Sequence, residues 1–159
     1  GGMDGVLNIY DIQSPSSPIL GNCHHRFQAH QAPITDMKLA YCKKNKSSHK
    51  TETIVIMCAE DRRVLGVNIE NGGLLFSFSL SSSPLCLSVY KDWAAVGLAD
   101  GRVQIISIKS SKMIMEFKAH MSEVRSLSLS SAACLITGGE DGTIRKWNLS
   151  GSPSVSPSL

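Results

Sequence analysis

No run of apolar residues in this sequence approaches the roughly 20 that a membrane-spanning helix requires, and no charged-then-apolar leader opens it. Closely spaced cysteines are missing as well. The five that occur, Cys23, Cys42, Cys58, Cys86 and Cys134, are an odd number without tight pairs, which argues against a disulfide framework. Three of them lie in apolar, strand-like runs, so reduced and buried thiols of an intracellular protein, cytoplasmic or nuclear, are expected. A large surplus of one charge is absent. The net charge is +3 with a pI near 8.6, far from the dense basic footprint of a dedicated nucleic-acid binder. Charged residues are 18% against 42% apolar, which excludes a chain too polar to form a core. With 159 residues, one ordinary domain can form and little more.

What is present is repetition. An acidic turn recurs as Met-Asp-Gly at Asp4, Glu-Asp-Arg at Asp61, Ala-Asp-Gly at Asp100 and Glu-Asp-Gly at Asp141, at intervals of 57, 39 and 41 residues. Self-similarity at a period near 40 marks a repeat architecture. The first interval is longer because of a lysine-rich insertion at residues 43–52. Six residues after each aspartate stands a large apolar residue: Tyr10, Val67, Ile106 and Trp147. The runs between alternate apolar and polar with period 2 and are rich in Val, Ile, Leu and Thr, as strands are. Helical spacing is absent from them.

Each repeat divides into four strands, an outer strand d followed by a, b and c. In the second repeat they are expected over residues 23–30, 33–42, 53–60 and 64–70. The third repeat places them at 74–80, 84–90, 93–100 and 102–108, and the fourth at 113–120, 123–130, 134–140 and 143–150. The first repeat contributes only its last strand, 6–12. The expected organisation is thus the end of a blade over 1–12, a repeat over 22–72 with its insertion at 43–52, and repeats over 73–110 and 111–150. Residues 151–159 read as a flexible Ser/Pro-rich tail, with no strand after Ser150.

The fourth repeat carries Ala119-His120, then a strand through Thr137 that ends in Gly-Gly-Glu-Asp-Gly at 138–142, then a strand ending in Trp147-Asn148. In this order and spacing it resembles a WD40 repeat, and the resemblance extends over residues 1–150. It implies an all-β fold, a WD40-type β-propeller with three four-stranded antiparallel blades and one strand of a preceding blade. The remaining blades are expected from a missing N-terminal part. The resemblance also implies a buried network in which Asp141 holds one imidazole nitrogen of His120 while Thr137 bridges the other to the Trp147 indole. A hydroxyl, a histidine and a carboxylate can equally make a hydrolase triad. A nucleophile must be exposed, however, and Thr137 is expected in a strand facing the core. A structural role and no enzyme activity are therefore expected. The other repeats depart from the pattern: His30 and Asp61 occur with Met57 and Val67, and Asp100 occurs with Val96 and Ile106 and no histidine.

Cys23, His24 and His25 are the one cluster with metal-ligand chemistry, but contiguous residues alternate across a strand and cannot readily share an ion. No metal and no cofactor are expected. The glycine pairs at 72–73 and 138–139 do not follow a strand and open a helix with a lysine, so turns and strand packing explain them better than phosphate loops, and the acidic turns lack the ligand density of a calcium loop. Lys43, Lys44, Lys46, His49 and Lys50 form a basic stretch between strands a and b. It reads either as a solvated loop or as a contact for an anionic partner such as RNA, a phosphoprotein or a lipid headgroup. No aromatic residues interleave with it, which argues against base stacking.

By the same resemblance, the d–a and b–c connections share one rim carrying Gln31, Pro33, Glu60, Ser82, Pro84 and Met121. Partner binding is placed there on Arg62, Arg63, Arg102, Glu123 and Glu140, since a guanidinium recognises carboxylate or phosphate with paired hydrogen bonds. The expected function is a non-catalytic platform for protein–protein interaction. An RNA-associated module and a substrate-recruiting arm of a ubiquitin ligase are the alternatives, and no membrane partner is expected.

Overall fold

Alternation along a strand sends successive side chains to opposite faces, and β4 (Thr51–Ala59) shows what that does here. Its Ile54, Ile56 and Cys58 enter one apolar cluster, and its Val55 and Met57 enter another. A strand buried on both faces must lie in a sheet packed between two others. The computed structural model describes residues 2–10, 23–43, 51–150 and 154–155, and it arranges them as such a stack. Among them there is no helix, so none is long and apolar enough to cross a membrane.

Four antiparallel sheets follow in order. The first holds β1 (Val6–Tyr10) and β2 (Cys23–Gln28). The second runs β3 (Ile34–Lys43), β4, β5 (Arg63–Asn68) and β6 (Leu74–Ser79). The third runs β7 (Pro84–Tyr90), β8 (Trp93–Leu98), β9 (Arg102–Ser107) and β10 (Lys112–Lys118). The fourth runs β11 (Val124–Ser131), β12 (Cys134–Gly139), β13 (Ile144–Asn148) and β14 (Ser154–Val155). Each repeat therefore straddles two sheets, because its strand d closes the sheet formed by a, b and c of the repeat before. This stagger makes every repeat a clasp between neighbours.

The end of the chain departs from expectation. Ser154 and Val155 in the tail pair with Asn148 and Trp147 as a short outer strand. The reason is local: the outer edge of β13 would otherwise leave its amides and carbonyls unpaired. Of the basic stretch, Lys44, Lys46, His49 and Lys50 lie outside the described residues, as does the side chain of Lys43.

Three apolar clusters fill the spaces between sheets. Ile56, Val64, Leu87, Val96, Leu98 and Ile106 join the second sheet to the third, and Ala95, Val103, Ile105, Leu135 and Trp147 join the third to the fourth. Full burial of such aliphatic side chains stabilises by about 1.5–3 kcal/mol each. Polar contacts index the stack. Asp36 Oδ2 accepts the Leu87 amide at 2.9 Å, and the Ser88 hydroxyl accepts the Leu129 amide at 3.0 Å. Among the described residues the first sheet sets only two strands against the second, and Leu39 and Tyr41 on β3 are left exposed.

Candidate functional site

The turns between strands b and c are built the same way four times. The carboxylate of Asp4, Asp61, Asp100 or Asp141 accepts the amide two residues on, from Val6, Arg63, Arg102 and Thr143, at 3.0–3.2 Å. This is the local capping that favours aspartate in turns. The residue after each aspartate adopts positive φ: Gly5, Arg62, Gly101 and Gly142. At Gly101 the carbonyl accepts two amides of the next outer strand, Ala119 and His120. A Cβ there would lie 2.3 Å from the His120 oxygen. Arg62 carries a Cβ, and its carbonyl accepts one such amide, from Leu80. These bonds, with Glu60 to Pro33, Ala99 to Ser83 and Glu140 to Glu123, knit the turns and the d–a loops into one rim.

In the fourth repeat the rim continues inward as a line of hydrogen bonds. His120 and Thr137 are fully buried and Trp147 nearly so. The His120 Nδ1–H donates to Asp141, at 3.0 and 3.1 Å from its two oxygens, and Nε2 accepts the Thr137 hydroxyl at 2.8 Å. Thr137 Oγ1 in turn accepts the Trp147 indole N–H at 2.9 Å. The hydroxyl thus has both its bonds filled inside the core. The ring of His120 occupies the space where a Cβ at residue 139 would stand, 2.3 Å from Nδ1, which is why glycine occurs there. Thr143 also belongs to the group: its hydroxyl donates to Asp141 Oδ1 at 2.7 Å and lies 3.1 Å from His120 Nδ1. The Thr143 hydroxyl is the largest influence holding the Asp141 carboxyl well below the usual carboxylate range. Against some opposing desolvation, the amides of Thr143 and Met121 and the His120 ring add to it.

The second and third repeats resolve the missing partners differently. His30 keeps its bond to Asp61, at 2.9 Å, but its buried Nε2 has no partner among the described residues, because Met57 stands where Thr137 does. In the third repeat Leu80 takes the histidine's place, its amide bonded to the turn carbonyl, and packs in the same apolar cluster as Val96 and Ile106. The burial that pushes the thiols of Cys58 and Cys86 up to about 11 and about 12 leaves them poor nucleophiles. Cys23, Cys58, Cys86 and Cys134 are free thiols. On β2, His25 stacks on Phe27 with ring centroids 5.5 Å apart. Among the described residues no three ligating side chains gather as a metal site would need.

The charged rim residues are not equivalent. Arg102 donates to Glu116 at 2.6 Å, and Gln104 donates to the other oxygen of the same carboxylate at 2.9 Å. Glu123 and Glu140 share Arg125, at 2.9 and 3.0 Å, a residue the spacing of the motifs does not single out. Arg63 donates to the Ser77 hydroxyl at 2.6 Å. Arg62 is exposed and meets no carboxylate among the described residues. Met121 is 81% exposed and stands beside them.

The stack of antiparallel sheets, the repeated turn and the histidine–threonine–tryptophan line define a protein of propeller blades. Residues 111–148 match the family model described as "WD domain, G-beta repeat". Over those residues the chain carries a WD40 repeat. It is 33% identical over 85 residues to WD repeat-containing protein 36 of Homo sapiens, a match covering 52% of this chain and 10% of that protein. It is 25% identical over 153 residues to the U3 small nucleolar RNA-associated protein 21 homolog of Schizosaccharomyces pombe, covering 94% of this chain and 16% of the relative. The crystal structure of the RRP9 WD40 repeats superposes with a TM-score of 0.68 at 20% identity, over 82% of this chain and 39% of that one. The chain thus spans a small part of the length of the curated relatives it matches.

Proposed function

We propose that this chain is a non-catalytic, intracellular platform for protein–protein interaction, with the knitted rim as its contact surface. The observation that carries the reading is the pairing of a rigid support with a charged, exposed edge. The hydroxyl, imidazole and carboxylate that could do chemistry are consumed in holding the fourth blade. The rim above presents Arg62, Arg125, Glu140 and Met121 to solvent. Functional contacts concentrate on loops held by a stiff scaffold. The test is affinity capture from cell extract by the wild-type protein and by Arg62→Glu/Arg125→Glu, with and without nuclease. The reading requires a protein partner that survives nuclease and is lost on charge reversal. Capture unchanged by the reversal would remove the rim from the account.

A second reading, an RNA-associated module, is favoured by one observation. The Schizosaccharomyces pombe relative that aligns with nearly the whole chain is named for association with a small nucleolar RNA. Here the basic stretch at Lys43, Lys44, Lys46 and Lys50 would neutralise phosphates, and binding would weaken steeply with salt. Capture that is abolished by nuclease, or by changing those lysines to alanine, would select this reading over the first.

A further inference from the structure

The second and third sheets differ at one pair of equivalent positions. In the third, Arg102 on β9 is two residues before Gln104, and Gln104 lies opposite Glu116 on β10. The Glu116 carboxylate lies diagonally across the strand pair and fills the Arg102 guanidinium at 2.6 Å. In the second sheet Arg63 is two residues before Leu65, and Leu65 lies opposite Ser77 on β6. Serine therefore stands where the third sheet has its carboxylate. It accepts from Arg63 at 2.6 Å and fixes the guanidinium without neutralising it. Arg63 has no carboxylate partner among the described residues.

The floor beside the arginine differs in the same direction. Gln104 makes it polar in the third sheet, and Leu65 makes it apolar in the second. Arg63, Leu65, Val67 and Leu74 line one wall of a groove of about 350 Å³. The opposite wall is Arg26, Phe27 and Gln28 of the outer strand of the first sheet, with Ala29 just past its end. Among the described residues that strand, β2, pairs with β1 alone, so its other edge has no strand partner there. Leu74 is 60% exposed at the end of the groove away from Arg63.

Deepening the reading of the chain as a protein-interaction platform, on which it rests, we infer that this groove binds an extended acidic-aliphatic peptide of a partner protein. The peptide lies along the β2 edge and gives Arg63 the carboxylate that Glu116 gives Arg102. An extended chain repeats its side chains every second residue, as do Arg63, Leu65 and Val67. The recognised segment therefore carries an acid at one position and aliphatic residues two and four positions away. Its backbone pairs with the open strand edge, the recognition mode of strand addition.

The test uses the purified protein and fluorescein-labelled heptapeptides, Thr-Glu-Thr-Val-Thr-Leu-Thr and its reverse sequence, each with a counterpart in which Gln replaces Glu. Fluorescence anisotropy reads binding. One orientation of the acidic peptide is expected to bind, and its Gln counterpart at least tenfold more weakly. Ser77→Glu installs in the second sheet the internal carboxylate of the third. It should unfold like the wild type yet lose at least tenfold in affinity, whereas Arg102→Gln should bind as the wild type does. Leu74→Ser should weaken binding severalfold. Equal binding of the Glu and Gln peptides, full affinity in a folded Ser77→Glu protein, or no binding of either orientation at millimolar peptide would each overturn the inference. The rim reading stands or falls separately, since Arg62→Glu/Arg125→Glu leaves the groove intact.

Discussion

Replacing Thr137 by valine removes one oxygen from the centre of the fourth blade and changes the shape of the side chain little. The oxygen serves two bonds, to His120 Nε2 and from the Trp147 indole, and all three side chains are buried. Valine would leave an unpaired acceptor and an unpaired donor in the core. A lost intramolecular bond has a net value of about 0.5–1.5 kcal/mol, and a buried group left unsatisfied costs about 1–3 kcal/mol. The second repeat tempers the sum, because the fold already tolerates one orphaned imidazole nitrogen at His30 beside Met57. The indole N–H is then the costlier orphan, and the expected loss is about 2–4 kcal/mol. Urea unfolding with an unchanged m-value measures it. A double-mutant cycle with Trp147→Phe isolates the mechanism, since that change removes the donor. The two losses should fall short of additivity by about 1 kcal/mol or more. A Thr137→Val protein within about 0.5 kcal/mol of the wild type, or strict additivity in the cycle, would refute the reasoning.

Other outcomes follow from the same structure. Gly101→Ala combines positive φ with a Cβ 2.3 Å from the His120 oxygen. It should destabilise by about 2 kcal/mol or more, whereas Gly142→Ala, at similar φ with nothing within 4 Å of the new Cβ, should cost only the conformational ~1 kcal/mol; equal losses would discount the close approach. The folded-state pKa of Asp141 is depressed, so its contribution is complete above the ordinary aspartate value near 3.9 and is lost as pH falls through the folded value. Acid titration of stability should therefore be shallower in Asp141→Asn than in the wild type, and identical profiles would contradict that sign. A thiol reagent at pH 8 should modify exposed Cys23 in the native state and spare Cys58 and Cys86 until unfolding, as peptide mass mapping would report. Leu39→Lys/Tyr41→Lys should reduce self-association of this chain in sedimentation, because both side chains are exposed on β3; an unchanged distribution would remove that face from the account.

The strands were legible because burial on alternate faces imposes period 2, and β1 to β13 fall close to where the alternation places them, except that Lys43, Thr51 and Glu52 of the expected insertion extend β3 and β4 as a paired ladder. The stagger of repeat and sheet was not, since nothing in a repeat says which neighbour its outer strand will join. His120, Thr137, Asp141 and Trp147 stand out because polar groups in apolar strands must find one another. Thr143 was missed: a hydroxyl after an Asp-Gly turn has no such constraint. The Glu116–Arg102 pair was hidden for a sharper reason. The register between β10 and β9 shifts between Met113 and Met115, and a one-residue shift sends every later side chain to the other face. Without it Glu116 would not lie opposite Gln104. Arg125 was overlooked because alternation marks it only as a solvent-facing residue, whereas the β11–β12 register shifts at this residue, between Val124 and Ser126, and its guanidinium meets both Glu123 and Glu140.

The central claim is that His120, Thr137, Asp141 and Trp147 hold a blade together and perform no chemistry. Exchange of the Trp147 indole proton, followed by NMR in the folded protein, tests it most directly, with half-buried Trp93 as the internal comparison. If Thr137 accepts that proton in a closed core, it should exchange only through global unfolding and slow in step with measured stability. Exchange of the Trp147 proton as fast as that of Trp93, under conditions where the protein is fully folded, would mean that the line is open to water and the claim is wrong.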